Sequence, residues 1–373
     1  MRVDAGRSVS AGEVAAKLER VRGWLESSNL GALLLSSQAN FAWITAGGRS
    51  HVSIGEQAGV ASVLVTRDGA WVLTANNERR RIVDEEIDGL GFEVLEYPWH
   101  RPEALEATVA ELCDPGQAVS DLGVAGLTHA DDDYAELRRV LRAEEQERYR
   151  QLGRDATEAL ETAAREARPG ETELDVAARV AAGCMRRDIV PLVNLVASDE
   201  RIARYRHPTP TSNPIGRTLL VALTGRRHGL HASLTRMVSF GEPHGELRSR
   251  HDAVQRVDAA MVASSAPGAS LRDVLRAASD RYDTEGFPGE WELHHQGGLT
   301  GYAGREVFAT PTEEYRLRAD QALAWNPSIT SVKSEDTVLI AASGAEVLTA
   351  GDWPTSEVAI GSTQLRRPGI LVR

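Results

Sequence analysis

The feature that constrains this chain most is a pair of helices joined at Pro-Gly, which occurs twice in its second half. One helical pattern covers 155–170 and another covers 252–268, and each ends at Pro-Gly before a second helical pattern begins. Ser270 and Asp273 fit a capping box at the start of the later second helix. The two copies are offset by about 98 residues, which indicates an internal repeat.

Long β segments follow each helix pair, over 217–240 in the first copy and over 321–340 in the second. Residues 141–373 are therefore predicted to form two related ααββ halves that face one another. A pocket between such halves is a natural place for a functional site.

The first 140 residues predict a separate α/β domain. A helical pattern over 12–28 precedes a buried strand at 32–35, and a hairpin signal joins two strands within 61–74. Residues 131–167 read as helical and highly charged, with 142–148 as a solvated linker helix. This places the domain boundary near residue 140, between domains 1–140 and 141–373.

Composition excludes several classes of protein. The 373 residues carry 54 acidic and 42 basic side chains, a net charge of −12, which disfavours binding to nucleic acid or anionic membranes. Two cysteines, Cys113 and Cys184, cannot build a disulfide scaffold or a thiolate zinc site. No apolar run approaches ~18 residues, and the opening residues lack the apolar core of a signal peptide. We expect a cytoplasmic protein.

Three segments in order, 219–236, 294–306 and 324–340, resemble the peptidase M24 family, which includes methionine aminopeptidase, Xaa-Pro aminopeptidase, prolidase and creatinase. The resemblance implies a "pita-bread" α+β domain built from a pseudo-twofold ααββ repeat. The stretch 40–47 resembles the creatinase/prolidase N-terminal domain, an α/β domain. The resemblance also implies a homodimer.

The family's metallopeptidases hold two metal ions with Asp, Asp, His, Glu and Glu. The Asp and Glu positions match Ala222, Ser233, Asn326 and Glu335 here, so only the last keeps its carboxylate. The His position falls at Gly298 or near His294, depending on where the segment is aligned. Because two divalent ions need several anionic ligands, the sequence predicts no dinuclear metal and no cofactor. One alternative stays open, a single metal ion held by His207, His231, one of His294 and His295, and Glu335.

Creatinase is the metal-free hydrolase of this family and uses a histidine to transfer protons. The matching segment is 206–210, so the resemblance implies that His207 is the general acid/base, with Glu335 as its partner. His207 could instead be a turn residue in a polar, Pro-rich loop. His231 shares a strand face with Ser233, which predicts that it points into the pocket, although hydrogen bonding within the sheet would also explain it.

The substrate-binding candidates come from the same segments. Adjacent His294 and His295 should project oppositely if the chain there is extended, so that one of them faces the pocket. Arg305 suits a substrate carboxylate because a guanidinium pairs with it bidentately, although a surface pair with Glu306 would also explain it. The remaining candidates are Ser233, Asn326, Tyr302 and Arg49, the last as a contact from a partner subunit that the resemblance implies.

The leading hypothesis is a metal-independent, creatinase-like enzyme that hydrolyses or eliminates a C–N bond in a small amino-acid-derived substrate. A metal-dependent Xaa-Pro aminopeptidase or prolidase is the first alternative, and the substituted ligand positions argue against it. A non-catalytic pita-bread binding protein is the second alternative.

Overall fold

The computed structural model describes residues 11–101, 103–341 and 344–373. The chain divides into two compact units, Met1–Arg139 and Val140–Arg373.

The first unit is a six-stranded mixed sheet with helices, in the strand order β4-β3-β2-β1-β5-β6. Its helices are α1 (Ala11–Ser27), α2 (Gln38–Ile44), α3 (Arg79–Arg81), which continues as a π-helical turn (Ile82–Glu86), α4 (Glu103–Leu112) and α5 (Glu136–Arg139). Its strands are β1 (Ala32–Ser37), β2 (Ala58–Thr66), β3 (Ala70–Ala75), β4 (Glu93–Tyr97), β5 (Ala118–Ser120) and β6 (Thr128–His129).

The predicted helix and hairpin of this unit are confirmed. Helix α1 buries Val14, Val21 and Leu25 on one stripe, which is the spacing of an amphipathic helix. Strands β2 and β3 pair antiparallel around the predicted turn. The same helix also buries Lys17, whose ammonium donates to Glu13 and to the carbonyl of Trp43, both at 2.7 Å.

The charged segment 142–148, at the start of the second unit, is not the solvated linker helix that the sequence predicted. The chain is extended at Arg142 and a new helix, α6, begins at Ala143. Glu145 and Arg148 are only 0% and 4% exposed. The carboxylate of Glu145 accepts a hydrogen bond from the backbone N–H of Arg142 at 2.8 Å. This carboxylate is buried because it caps the start of α6.

The second unit contains a four-stranded sheet, β19-β9-β8-β7, a five-stranded sheet, β11-β10-β12-β15-β16, and two separate hairpins. Its helices are α6 (Ala143–Glu166), α7 (Glu173–Met185), α8 (Glu200–Arg204), α9 (Gly245–Ser264) and α10 (Leu271–Thr284). Its strands are β7 (Val190–Ser198), β8 (Thr218–Arg227), β9 (Leu230–Ser239), β10 (Gly297–Thr300), β11 (Val307–Phe308), β12 (Ala322–Trp325), β13 (Ser328–Ile329), β14 (Val332–Lys333), β15 (Asp336–Ala341), β16 (Gly344–Val347), β17 (Thr355–Ile360), β18 (Thr363–Pro368) and β19 (Ile370–Val372).

The predicted internal repeat is confirmed down to single hydrogen bonds. Gly170 after α6 and Gly268 after α9 have φ of 88° and 90°. Each N–H donates at 2.8 Å to a carbonyl much further along the chain, that of Ile215 in the first half and that of Leu317 in the second. Glycine meets no steric penalty at this positive φ, so the Pro-Gly turn that follows each helix has the same conformation.

The second helix of each half begins with the same side-chain cap. Thr172 Oγ1 accepts from the N–H of Asp175 at 3.2 Å, and Ser270 Oγ accepts from the N–H of Asp273 at 3.1 Å. Ser270 therefore caps its helix as predicted, and its hydroxyl also donates to Asp273 Oδ2 at 2.7 Å. The full reciprocal capping box is present in the first half, where the N–H of Thr172 donates to Asp175 Oδ2 at 2.8 Å.

The sheets of the two halves meet beside β9. The N–H of Thr235 donates to the carbonyl of Glu335 at 3.1 Å, in an isolated bridge between the halves. No helix within the described ranges is long and apolar enough to cross a bilayer. Both cysteines are free thiols, with Cys184 buried and Cys113 half-buried.

Candidate active site

A pocket of about 320 Å³ lies in the second unit and draws its lining from both halves. One wall is apolar and is formed by Leu192, Val193, Leu195, Ala222 and Leu223. The polar and charged residues of the lining include His207, His231, His295, Arg305, Asn326, Lys333 and Glu335. Most of the residues predicted for the site are therefore brought together.

The one carboxylate of the pocket, Glu335, is surrounded by donors. Lys333 Nζ lies 2.9 Å from Glu335 Oε2, and Thr235 Oγ1 donates to the same oxygen at 2.6 Å. Arg305 Nη2 lies 3.9 Å from Oε1. Burial alone would raise the pKa of Glu335, but Lys333 and Arg305 hold that pKa below its ordinary value. Glu335 is thus a buried carboxylate that stays ionised and is already neutralised.

Sequence reasoning missed Lys333. It pairs with Ser328 in the short β13–β14 hairpin, which turns its side chain toward the pocket. A signal was available, because only two of the 42 basic residues are lysines, Lys17 and Lys333. Both are buried, at 0% and 8% exposure, although lysine is rarely buried unless it is paired.

Three histidines form a cluster at the pocket. His207 Nε2 lies 3.0 Å from His294 Nε2, so one ring donates and the other accepts. The rings of His294 and His295 stack with centroids 4.4 Å apart and planes at 25°. The backbone at His294 is extended, yet the two rings stack instead of projecting to opposite sides. Of the two, His295 lines the pocket, as expected for one of the pair, and His294 contacts His207.

All three histidines of the cluster are held neutral. Loss of solvent lowers the pKa of His207, and the nearby ammonium of Lys333 lowers it further, while Glu335 raises it. Burial, followed by the charges of Arg305 and Lys333, lowers the pKa of His295 to about 4. The pKa of buried His294 is lowered for the same kinds of reason. At neutral pH these rings can therefore accept protons.

His231 lines the pocket from β9, as predicted, and is also bonded within the fold. Its Nδ1 lies 3.2 Å from the carbonyl of Gly301, which can only accept, so Nδ1 carries the proton and Nε2 is left as an acceptor. Burial and the charge of Arg226 lower the pKa of His231 to about 4. Its catalytic role stays a prediction.

The structure places Ser233 and Tyr302 outside the pocket lining, contrary to the prediction. Ser233 is 0% exposed, and its hydroxyl pairs with that of Thr224 at 2.9 Å. Tyr302 is 1% exposed and donates to Glu145 Oε1 at 2.7 Å. A buried hydroxyl needs a partner inside the protein, and each of these has one, that of Ser233 being Thr224 of the pocket lining.

Arg49 lies in the first unit. Its Nε is 3.5 Å from Glu86 Oε1, and its backbone N–H donates to Glu86 Oε2 at 2.7 Å. The contact with a partner's substrate stays a prediction.

Two buried polar atoms at the pocket have no hydrogen-bond partner among the described residues, Arg305 Nε and Asn326 Oδ1. Arg305 does use its Nη1, which donates to the carbonyl of Gly304 at 2.6 Å. Buried polar groups are nearly always satisfied, so these two atoms point to a bound ligand or to water. The first needs an acceptor and the second needs a donor.

The residues at the family's metal positions do not fit two metal ions. Ala222 offers no ligand atom, Ser233 is bonded to Thr224, and the carboxylate of Glu335 is occupied by Lys333. At Gly298, a Cβ would lie 2.1 Å from the carbonyl oxygen of Val307, so no side chain fits there. The cations Lys333 and Arg305 already occupy the surroundings of Glu335, where a divalent ion would need anionic ligands.

The histidine cluster could be considered for a single ion, since ligand atoms of His207, His294 and His295 lie within 4.8 Å of one another. An imidazole lone pair lies in the ring plane, however, and the stacking confines the lone pairs of His294 and His295 to separate, nearly parallel planes, in which they do not readily converge on one ion. Buried His294 Nδ1 also lacks the outer hydrogen bond that orients metal-bound imidazoles, within the part of the chain that the structure describes. The cluster suits a hydrogen-bonded chain better. The alternative ligands His231 and Glu335 do not join it.

Comparison with known proteins identifies relatives for both units. Residues 147–342 match the model of metallopeptidase family M24, and residues 17–153 match that of the creatinase/prolidase N-terminal domain. An uncharacterized peptidase of Staphylococcus aureus is 28% identical over 126 residues, which are 32% of this chain and 35% of that protein. The chain thus matches about a third of the length of this relative.

Solved structures resemble the fold over nearly the whole chain. A dipeptidase from Mycobacterium ulcerans superposes with a TM-score of 0.78 at 18% identity, covering 98% of this chain and all (100%) of the other. An Xaa-Pro dipeptidase from Bacillus anthracis gives a TM-score of 0.77 at 17% identity, covering 96% of this chain and 100% of the other. The predicted combination of an N-terminal creatinase/prolidase-type domain and a pita-bread domain is confirmed.

Proposed function

Because the chain belongs to metallopeptidase family M24, we propose that it is an enzyme of this family that cleaves a C–N bond in a small amino-acid-derived substrate without a two-metal centre. His207 is the general acid/base. Glu335 is its electrostatic partner, and Arg305 and Asn326 bind the substrate. The working form is a homodimer in which Arg49 approaches the partner's substrate.

One observation carries the metal-independent part of this proposal. The surviving carboxylate of the family's ligand set, Glu335, is paired with Lys333 at 2.9 Å and faces neutral groups at the other ligand positions. A divalent ion placed there would meet an ammonium and a guanidinium instead of anions. The one carboxylate of the pocket is therefore already paired with protein cations.

The position of His207 suits proton transfer in this pocket. The ring is exposed to the pocket, neutral, and held in place by the 3.0 Å contact with His294. In hydrolysis, neutral His207 accepts a proton from water as the water oxygen bonds to carbon. The same proton then passes to the nitrogen as the C–N bond breaks. The charge of Glu335 favours the imidazolium between the two steps, against the larger opposing effects of burial and Lys333.

Metal analysis and turnover together test the proposal. Purified protein should hold no stoichiometric zinc, manganese or cobalt by mass spectrometry. A screen of creatine, ectoine-type ring compounds and Xaa-Pro dipeptides should find turnover that persists in EDTA. Two metal equivalents and loss of turnover in EDTA would instead identify a metal-dependent dipeptidase. Binding of substrates without any turnover would identify a non-catalytic binding protein.

A further inference from the structure

Lys333 stands out from the other basic residues of the chain. Arginines serve the surface and most of the buried ion pairs, yet this pocket position holds one of the two lysines. An ammonium is a compact point charge with three donors, whereas a guanidinium is a wide planar fork. Among the described residues, the ammonium of Lys333 makes one polar contact, at 2.9 Å with Glu335. The other donors remain available for a ligand.

The charges around the pocket floor do not cancel. Lys333 and Arg305 are cations, Glu335 is the one anion, and the lining histidines are neutral. Lys333 is 8% exposed and the side chain of Arg305 is 11% exposed, so water screens this excess only weakly. A single positive charge is left over, which a monoanionic ligand would balance.

The two buried atoms without a hydrogen-bond partner among the described residues indicate which other groups the ligand should carry. Arg305 Nε needs an acceptor, which a carboxylate supplies, and Asn326 Oδ1 needs a donor, which an adjacent N–H supplies. The pocket lining also includes Leu192, Val193 and Leu195, which offer contact to an apolar substituent.

We propose that Lys333 is a substrate-specificity residue that replaces the metal charge of related enzymes and selects a small carboxylate bearing an N–H group and an apolar substituent. This inference rests on the proposed function only in naming the ligand as substrate. The anion selectivity itself belongs to the pocket and is measurable without turnover.

Isothermal titration of the full chain with 4-methylpentanoate and its isostere 4-methylpentanamide, in EDTA, tests the selectivity. The carboxylate should bind at least about tenfold more tightly than the amide, since charged hydrogen bonds are worth about that factor. Lys333→Gln should abolish the preference. Glu335→Gln should enlarge it, because the net charge of the pocket rises. Arg248→Gln removes an equal charge from an exposed pair with Glu242 and should leave the preference unchanged.

Folding of each variant is checked by circular dichroism. If Lys333→Gln does not fold, the double variant Lys333→Gln/Glu335→Gln removes both partners and keeps the excess charge on Arg305. It should still prefer the carboxylate, though less strongly than Glu335→Gln alone. Equal binding of acid and amide by the native chain overturns the inference. So does a preference that survives in Lys333→Gln or that appears only with added metal. EDTA-sensitive turnover alongside a metal-free carboxylate preference would contradict the proposed function alone.

Discussion

The two halves of the second unit have the same backbone turns and helix caps, but the side chains that they place at the pocket differ in charge. Gly170 and Gly268 form the same hydrogen bond in the turn after each first helix, and Thr172 and Ser270 both cap the next helix. Yet the strands β8 and β9 of the first half give the pocket floor mainly neutral groups, while the second half supplies its arginine, lysine and carboxylate. The repeated turns and caps therefore maintain the scaffold, and the charge of the site is a property of one half.

His207 offers the largest test of this division, because it is the acid/base group that the first half contributes. His207→Ala should lower kcat/KM by about 10²–10⁴-fold, the usual range for a general acid/base. His294→Ala, which removes only the ring that holds His207 in place, should cost less. Steady-state kinetics on the substrate found by the screen measure both. Full activity in His207→Ala would contradict the assigned mechanism.

The second test compares buried polar pairs of the two halves. Lys333→Met leaves the carboxylate of Glu335 buried without its nearest cation, so the free energy of unfolding should fall by about 3 kcal/mol. Ser233→Ala removes one neutral hydrogen bond to Thr224 and should cost about 1 kcal/mol. Urea denaturation at pH 7 gives both values. Equal losses would show that the charge asymmetry does not matter for stability.

The third test compares how much the equivalent helix caps of the two halves contribute to folding stability. Thr172→Ala and Ser270→Ala each remove a helix cap and should each destabilise the unit by about 1 kcal/mol. Their melting temperatures should fall together, and activity should be unchanged in both. A loss confined to one variant would mean that one half carries more of the folding stability.

The smallest expected effect is a displacement of the pH profile. Neutral His207 is the active form, so activity falls as pH drops through its pKa, which lies below the ordinary value of 6.5. Partial burial is the largest cause of that shift, and Lys333 adds to it. Removing the ammonium in Lys333→Gln should therefore raise the pKa and move the acid limb to higher pH. If the acid limb of the pH–rate profile does not move in Lys333→Gln, Lys333 does not influence the pKa of His207.

Sequence reasoning succeeded where the signal is local. The Pro-Gly ends and the cap at Ser270 depend on neighbouring residues, so their pattern could be read directly. It failed where a contact joins segments that are far apart in the chain. One example is the contact of His207 with His294, whose ring stacks on that of His295. Another is the burial of Tyr302 against Glu145. Those arrangements depend on how strands and turns approach in three dimensions. The pairing of Lys333 with Glu335 was readable in part, from the rarity of lysine.

The close packing around Gly298 bears on how this site could evolve. A Cβ at this position would collide with the carbonyl oxygen of Val307, and one at Gly297 with that of Ala324, each at 2.1 Å. Under the alignment that places the family's His at Gly298, a histidine there would have to displace β11, and carboxylates would have to be regained at three other positions. Recovery of a two-metal centre would then require several substitutions together, including one that moves a strand.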